Sequence, residues 1–187
     1  DNSANQYVYP QRADFTFYGG IYRDVQLIFV NENHFDLAYY GSTGIAVTPE
    51  INNKEAIVKV KTFIKGDYEA IKFSVNSFDN EKSGKKEVLV PRCDNQDSCE
   101  IKVVEGEIVI PDVHLWNGRK DPYLYFAKAE LIINGEVVDE VTTKFGCRSY
   151  SFDPNKGFLL NGESYPLHGV SRHQDRKGVG NALTKTM

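Results

Sequence analysis

The sequence predicts an all-β fold, an immunoglobulin-like β-sandwich with short flanking pieces of neighbouring domains, and three observations carry that prediction. Short stretches alternate apolar with polar residues, as strands with one face on a core and one in water do. Asn-Gly pairs, which turn a chain back on itself tightly, separate some of these stretches. No long segment repeats apolar residues at the i, i+3, i+4, i+7 spacing of an amphipathic helix. With 41% hydrophobic and 12% aromatic residues among 187, the chain has ample material for a packed core.

Taken in order, residues 1–40 hold one aromatic-rich strand, Arg23 to Val30, behind the glycine-bearing segment Asp14-Phe15-Thr16-Phe17-Tyr18-Gly19-Gly20. That segment has no partner strands nearby in sequence and reads as the tail of an earlier domain. Residues 41–146 read as the sandwich. Strands are expected at Ile57 to Ile64, Ala70 to Val75, Lys86 to Val90, Glu100 to Val104, Glu107 to Ile110, Tyr123 to Ile133 and Glu136 to Thr143. Asn134-Gly135 joins the last two as a tight hairpin. The charged run Asn80 to Lys86 is a solvated loop. Residues 147–187 supply a turn at Asp153 to Gly157 and a second hairpin at Asn161-Gly162, between Gly157 to Leu160 and Ser164 to Leu167.

Composition excludes several function classes. A net charge of −4 with scattered Lys and Arg lacks the basic stripe of a nucleic-acid binder. The longest apolar runs, such as Val25 to Val30, fall far short of the ~20 residues of a membrane span. A soluble piece is expected, with its compartment open between bacterial cytoplasm and periplasm or secretion. The polar start Asp1 to Gln6 reads like the middle of a chain. Cys93, Cys99 and Cys147 have no metal-ligand spacing. A Cys93–Cys99 disulfide would close a short loop, while three unpaired thiols is the reading that such sparse cysteine favours.

Ionisable side chains concentrate between Leu167 and Arg176, where His168, Arg172, His173, Asp175 and Arg176 fall within ten residues. On a loop beyond a strand they could converge on a polar ligand such as a sugar, whose hydroxyls call for mixed donors and acceptors. An exposed charged loop is the plainer alternative. Trp116, Tyr123 and Tyr125 could form a platform for stacking sugars, but a Leu-Trp pair ahead of an alternating strand more often packs its indole into a sandwich core.

Four motifs bring a resemblance. Asp14 to Val25, then Leu115-Trp116 with Asp121-Pro122-Tyr123-Leu124-Tyr125, then Phe145-Gly146-Cys147-Arg148, and finally Leu160-Asn161-Gly162 with Gly169-Val170-Ser171-Arg172-His173 resemble family 2 glycoside hydrolases in order and spacing. The resemblance implies that 1–40 are the C-terminal strands of a jelly-roll sugar-binding domain and 41–146 the immunoglobulin-like sandwich. It implies that 147–187 are the N-terminal hairpin and first strand of a (β/α)8 catalytic barrel. It further implies a retaining exo-β-glycosidase, most like the β-galactosidase branch, with β-glucuronidases and β-mannosidases as relatives of the same architecture. A non-catalytic carbohydrate-binding or adhesion module of immunoglobulin type is the rival.

Residue by residue, the resemblance makes Asp14 a sugar contact that in some β-galactosidases also ligates a monovalent cation. It makes His173 a contributor to the sugar subsite, and Arg172 a structural ion-pair partner. His168 stands where many β-galactosidases carry Arg. Na+ and Mg2+ are the ions the resemblance allows the whole protein, and a β-galactoside its substrate. The nucleophile and the acid/base, both glutamates in the family, are expected beyond Met187, so neither Glu163 nor Asp175 takes those roles and the 187 residues alone are expected to be inert.

Overall fold

The structure, a computed structural model, describes residues 7, 20–37, 39–77, 86–92 and 101–187. Asp14, the Cys93–Cys99 pair and most of the charged run 80–86 lie outside the described residues. Two compact units appear: Val30–Leu167, and a second formed by residues up to Phe29 with His168–Met187.

The first unit is a sandwich of two antiparallel sheets, and no described residue is helical. One sheet is built on β3 (Glu55–Lys65), flanked on one side by β6 (Lys102–Ile110) and on the other by β2 (Ile45–Asn52) and the short β1 (His34–Phe35). The other runs in the order β5 (Lys86–Pro91), β4 (Ala70–Ser77), β7 (Tyr125–Ile133), β8 (Glu136–Phe145). A three-stranded sheet, β9 (Tyr150–Asp153), β10 (Gly157–Leu160) and β11 (Glu163–Ser164), completes the unit.

Alternation explains the core. Inward positions of β3 and β6 supply Ala56, Val58, Val60, Ile64, Val104, Ile108 and Ile110, which face Ile71, Phe73 and Val75 of β4 and Tyr125, Ala127, Ala129 and Leu131 of β7. Each large side chain moved fully out of water here contributes on the order of 1.5–3 kcal/mol. Asn134 and Gly135 both take positive φ, 52° and 76°, so the β7–β8 hairpin turns in the way the right-handed twist of its strands requires. One extra residue, Val138, bulges from β8 where the register shifts between Leu131 and Ile132. Its carbonyl accepts from Asn31 Nδ2 at 2.9 Å, and the Asp139 carboxylate accepts from the Phe35 backbone N–H at 2.8 Å. The bulge thereby fastens residues 31–35 to the sandwich.

The outer face of the second sheet carries a charge ladder. Glu130 on β7 lies opposite Glu140 on β8, a like-charge pairing that would repel. Lys128 bridges them at 3.0 and 2.8 Å, and Lys72 meets Glu130 at 2.6 Å. Burial pushes the Glu130 carboxyl up, but the Lys72 and Lys128 ammonium groups together outweigh it and hold it below its ordinary value.

Four expectations need correction. First, β2 is a strand the sequence did not announce, because Pro49 interrupts it. As an edge strand β2 leaves one side unpaired, and there a residue without N–H is tolerated. Second, Glu105-Gly106 does not split two strands, since β6 runs unbroken from Lys102 to Ile110. Gly106 takes an inward position whose space is filled by Phe73, and a Cβ there would meet the ring at 2.6 Å. Third, Arg23 to Val30 forms no ladder, and Val25, Leu27 and Phe29 are 76%, 81% and 88% exposed. A strand is held by a neighbour's backbone groups, and none of the described residues offers them to this segment. Fourth, β11 is only Glu163–Ser164, and residues 165–175 carry no strand.

Candidate functional site

Of the side chains the sequence singles out for sugar binding, His168, Arg172 and His173 are exposed on the ladder-free segment of the second unit. Asp14 lies outside the described residues. Within the same unit Arg23 Nη1 donates to the Asn181 carbonyl at 2.6 Å, and a turn closes through Arg176 N–H to Gly180 O at 3.1 Å. Among the described residues no three His, Cys, Asp or Glu side chains gather where they could hold a metal ion.

What the structure does converge is the other motifs, at the junction between the sandwich and the β9–β11 sheet. Trp116 N–H donates to the Cys147 carbonyl at 2.8 Å, and Asn161 Nδ2 donates to the Trp116 carbonyl at 3.1 Å. Asn161 also exchanges bonds with Ser149: its backbone N–H donates to Ser149 O at 2.9 Å, and its Oδ1 accepts from Ser149 N–H at 3.0 Å. Asn161 (φ 53°) and Gly162 (φ 84°) form the left-handed corner of the β10–β11 hairpin, which aims the Asn161 amide back at the sandwich. A single side chain thus joins segments 45 residues apart in sequence.

The same junction decides the aromatic residues. Gly146 lets the Trp116 indole approach closely, since a Cβ there would fall 2.9 Å from Trp116 Cβ. The indole is half-buried at this edge rather than in the core, with the Arg148 guanidinium 4.9 Å from its ring. Tyr125 is buried, and its hydroxyl accepts from the His114 backbone N–H at 2.8 Å. Tyr123 lies stacked on the His114 ring at 3.9 Å, and His114 Nε2 meets Asp121 Oδ2 at 2.6 Å. These rings brace the 114–121 loop and do not form an open platform. Cys147, wholly buried beside them, has its thiol pushed up to about 12 by burial and stays protonated at neutral pH.

The first unit is thus an immunoglobulin-like sandwich followed by a small aromatic hairpin sheet stitched to its edge. The chain belongs to glycosyl hydrolases family 2, whose family model matches residues 43–148. It is 36% identical over 189 residues to a β-glucuronidase of Bacteroides fragilis, covering 94% of this chain. It is 30% identical over 175 residues to a β-galactosidase of Thermoanaerobacter pseudethanolicus, covering 91% of this chain. Among solved structures, an FMN-binding β-glucuronidase from Facaelibacterium prausnitzii L2-6 superposes with a TM-score of 0.79 at 41% identity, over 94% of this chain and 26% of that one. The chain spans 25% and 22% of the length of the two curated relatives.

Proposed function

We propose that these residues are the sandwich-centred portion of a longer hydrolase that removes terminal β-linked sugars with retention, and that the preferred sugar is a β-glucuronide. The likeness to β-glucuronidases at 36% and 41% identity along 94% of the chain carries this reading. β-Galactosides are the second reading. The 30% identity to a β-galactosidase and the Gly169-Val170-Ser171-Arg172-His173-Gln174-Asp175 stretch favour them.

In this reading residues 1–40 close a jelly-roll sugar-binding domain, 41–146 buttress it, and 147–187 open the catalytic barrel. Retaining hydrolysis needs two carboxyl groups about 5–5.5 Å apart, one attacking the anomeric carbon and one moving protons. Those are assigned to glutamates outside the 187 residues. His173 hydrogen-bonds the sugar as its ring flattens, Asp14 holds the sugar's periphery, and Arg172 and His168 support the segment that carries His173.

Full-length protein assayed on aryl β-D-glucuronide and aryl β-D-galactoside is the test. Turnover of the glucuronide with the higher kcat/KM is expected, and none by the 187 residues alone. Preference for the galactoside would select the second reading. Saturable sugar binding without turnover would support a non-catalytic carbohydrate module instead.

A further inference from the structure

The outer face of the first sheet holds a groove of about 540 Å3, within the roughly 300–1,000 Å3 of small-molecule sites. Strand register lays its floor out in two rows. Thr48, Lys59 and Glu107 stand side by side across β2, β3 and β6, and Ala46, Lys61 and Glu105 form the next row. One outward position further along β3 is Phe63, and Tyr39 stacks on its ring at 4.4 Å with 12° between the planes. Tyr39 thus closes one end of the groove with an aromatic ring that is held in place yet 39% exposed. Ala46 presents only a methyl group, which leaves the floor open.

Polar groups along the floor have hydrogen-bonding capacity to spare. Lys61 Nζ meets Glu105 Oε1 at 2.5 Å, and Lys59 Nζ turns from its cross-strand neighbour Glu107 to Glu50 Oε1 at 2.6 Å. An ammonium group has three donors and a carboxylate about four acceptor sites, so each pair keeps most of them. The Thr48 hydroxyl and the Glu107 carboxylate make no hydrogen bond or ion pair among the described residues. Two ammonium groups and two carboxylates line the groove, so their charges cancel.

These features select among ligands. An anion such as a phosphate or a uronate finds no surplus of positive charge, and a cation meets as many ammonium groups as carboxylates. A protein surface fits poorly, because Lys and Glu are depleted at interfaces and covering the two ion pairs would strip them of water. A neutral pyranose fits both parts of the groove. Its C–H face is apolar and can lie on an aromatic ring, while each hydroxyl donates and accepts. We infer that this groove binds the neutral pyranose units of a glycan, with Tyr39 stacked on one sugar ring and the Thr48, Lys61, Glu105 and Glu107 side chains hydrogen-bonding its hydroxyls. Phe63 and the ion pairs fix these side chains before a ligand arrives, which limits the ordering that binding requires. The inference stands on the groove and goes beyond the hydrolase reading, which concerns the terminal sugar that is cleaved.

Calorimetric titration of the full-length protein with cellotetraose, mannotetraose and xylotetraose reads binding without requiring turnover. At least one should bind saturably, with a millimolar or tighter Kd. Tyr39→Ala should weaken that binding about tenfold, and Tyr39→Phe should keep most of it. Ala46→Arg fills the floor while leaving both ion pairs and the Tyr39–Phe63 stack in place, and it should weaken binding at least as much. All three variants should turn over an aryl glycoside as the wild type does. Failure of all three tetrasaccharides to bind overturns the proposal. Binding left unaltered by Tyr39→Ala or by Ala46→Arg places the sugar elsewhere and overturns it too. D-Glucuronate binding as tightly as the tetrasaccharides, and lost in the same variants, overturns the assignment to neutral sugars. Activity separates this from the hydrolase reading: binding without turnover of any aryl glycoside sinks that reading alone, and turnover without tetrasaccharide binding sinks the groove alone.

Discussion

Asn161→Ala removes the side chain that joins the β9–β11 sheet to the sandwich, and the structure sets the size of the effect. Two hydrogen bonds go, Nδ2 to Trp116 O at 3.1 Å and Ser149 N–H to Oδ1 at 3.0 Å. Each is worth about 0.5–1.5 kcal/mol net. Alanine must also hold the left-handed φ of 53°, which adds about 1 kcal/mol. The expected total is about 3 kcal/mol, roughly a hundredfold in local opening, since 1.4 kcal/mol is a factor of ten. Asn161→Gly loses the same bonds but adopts that φ freely, so its cost should be about 2 kcal/mol. Hydrogen exchange by NMR reads both. The amides of Asn161 and Tyr165, which donate to Ser149 O and Phe158 O, should open faster, and those of β3 and β7 should not. If both variants exchange within threefold of wild type, or if the change spreads equally into β3 and β7, Asn161 is not the fastener described.

Gly106→Val should destabilise the sandwich by about 1–3 kcal/mol in urea unfolding, because the Phe73 ring occupies the space a side chain would need; an unchanged midpoint would contradict that packing. Glu130, whose carboxyl is held below its ordinary value despite burial, contributes stability that is present above the ordinary carboxylate range and is lost as pH falls through its lowered folded value. Lys72→Met removes one of the two ammonium groups responsible, so the acid unfolding midpoint should move to higher pH, and an unmoved midpoint would argue that Lys128 alone sets it.

Local chemistry was legible in the sequence where one or two residues dictate a backbone. Asn134-Gly135 and Asn161-Gly162 announced their hairpins because both residues tolerate positive φ, and alternation placed most of the seven expected strands. What failed was context. Pro49 hid β2, since nothing local says that the strand lies at a sheet edge. Gly106 looked like a break because the ring that fills its place lies on β4. Arg23 to Val30 has a strand's composition, but among the described residues no neighbour pairs with it. Trp116 was read as core, whereas its position depends on Gly146, Arg148 and Asn161. The left-handed Asn161 was the available signal for that junction, but it pointed to a turn and not to the side chain's partner 45 residues away. His168, Arg172 and His173 were singled out by the density of ionisable side chains between Leu167 and Arg176 and given roles by resemblance, and the fold of the sandwich neither supplies nor requires them.

The assignment of Asp14 and His173 to one sugar site is tested most directly by steady-state kinetics of His173→Ala and Asp14→Ala in the full-length hydrolase, with circular dichroism to confirm folding. A hydrogen bond that strengthens as the sugar flattens is worth more in the transition state, so His173→Ala should lower kcat/KM mainly through kcat. Asp14→Ala should raise KM at least as much as it lowers kcat. Each loss should be on the order of 2–4 kcal/mol for charge-assisted, desolvated contacts. Two folded variants that each lose less than about threefold in kcat/KM would place neither residue at the sugar.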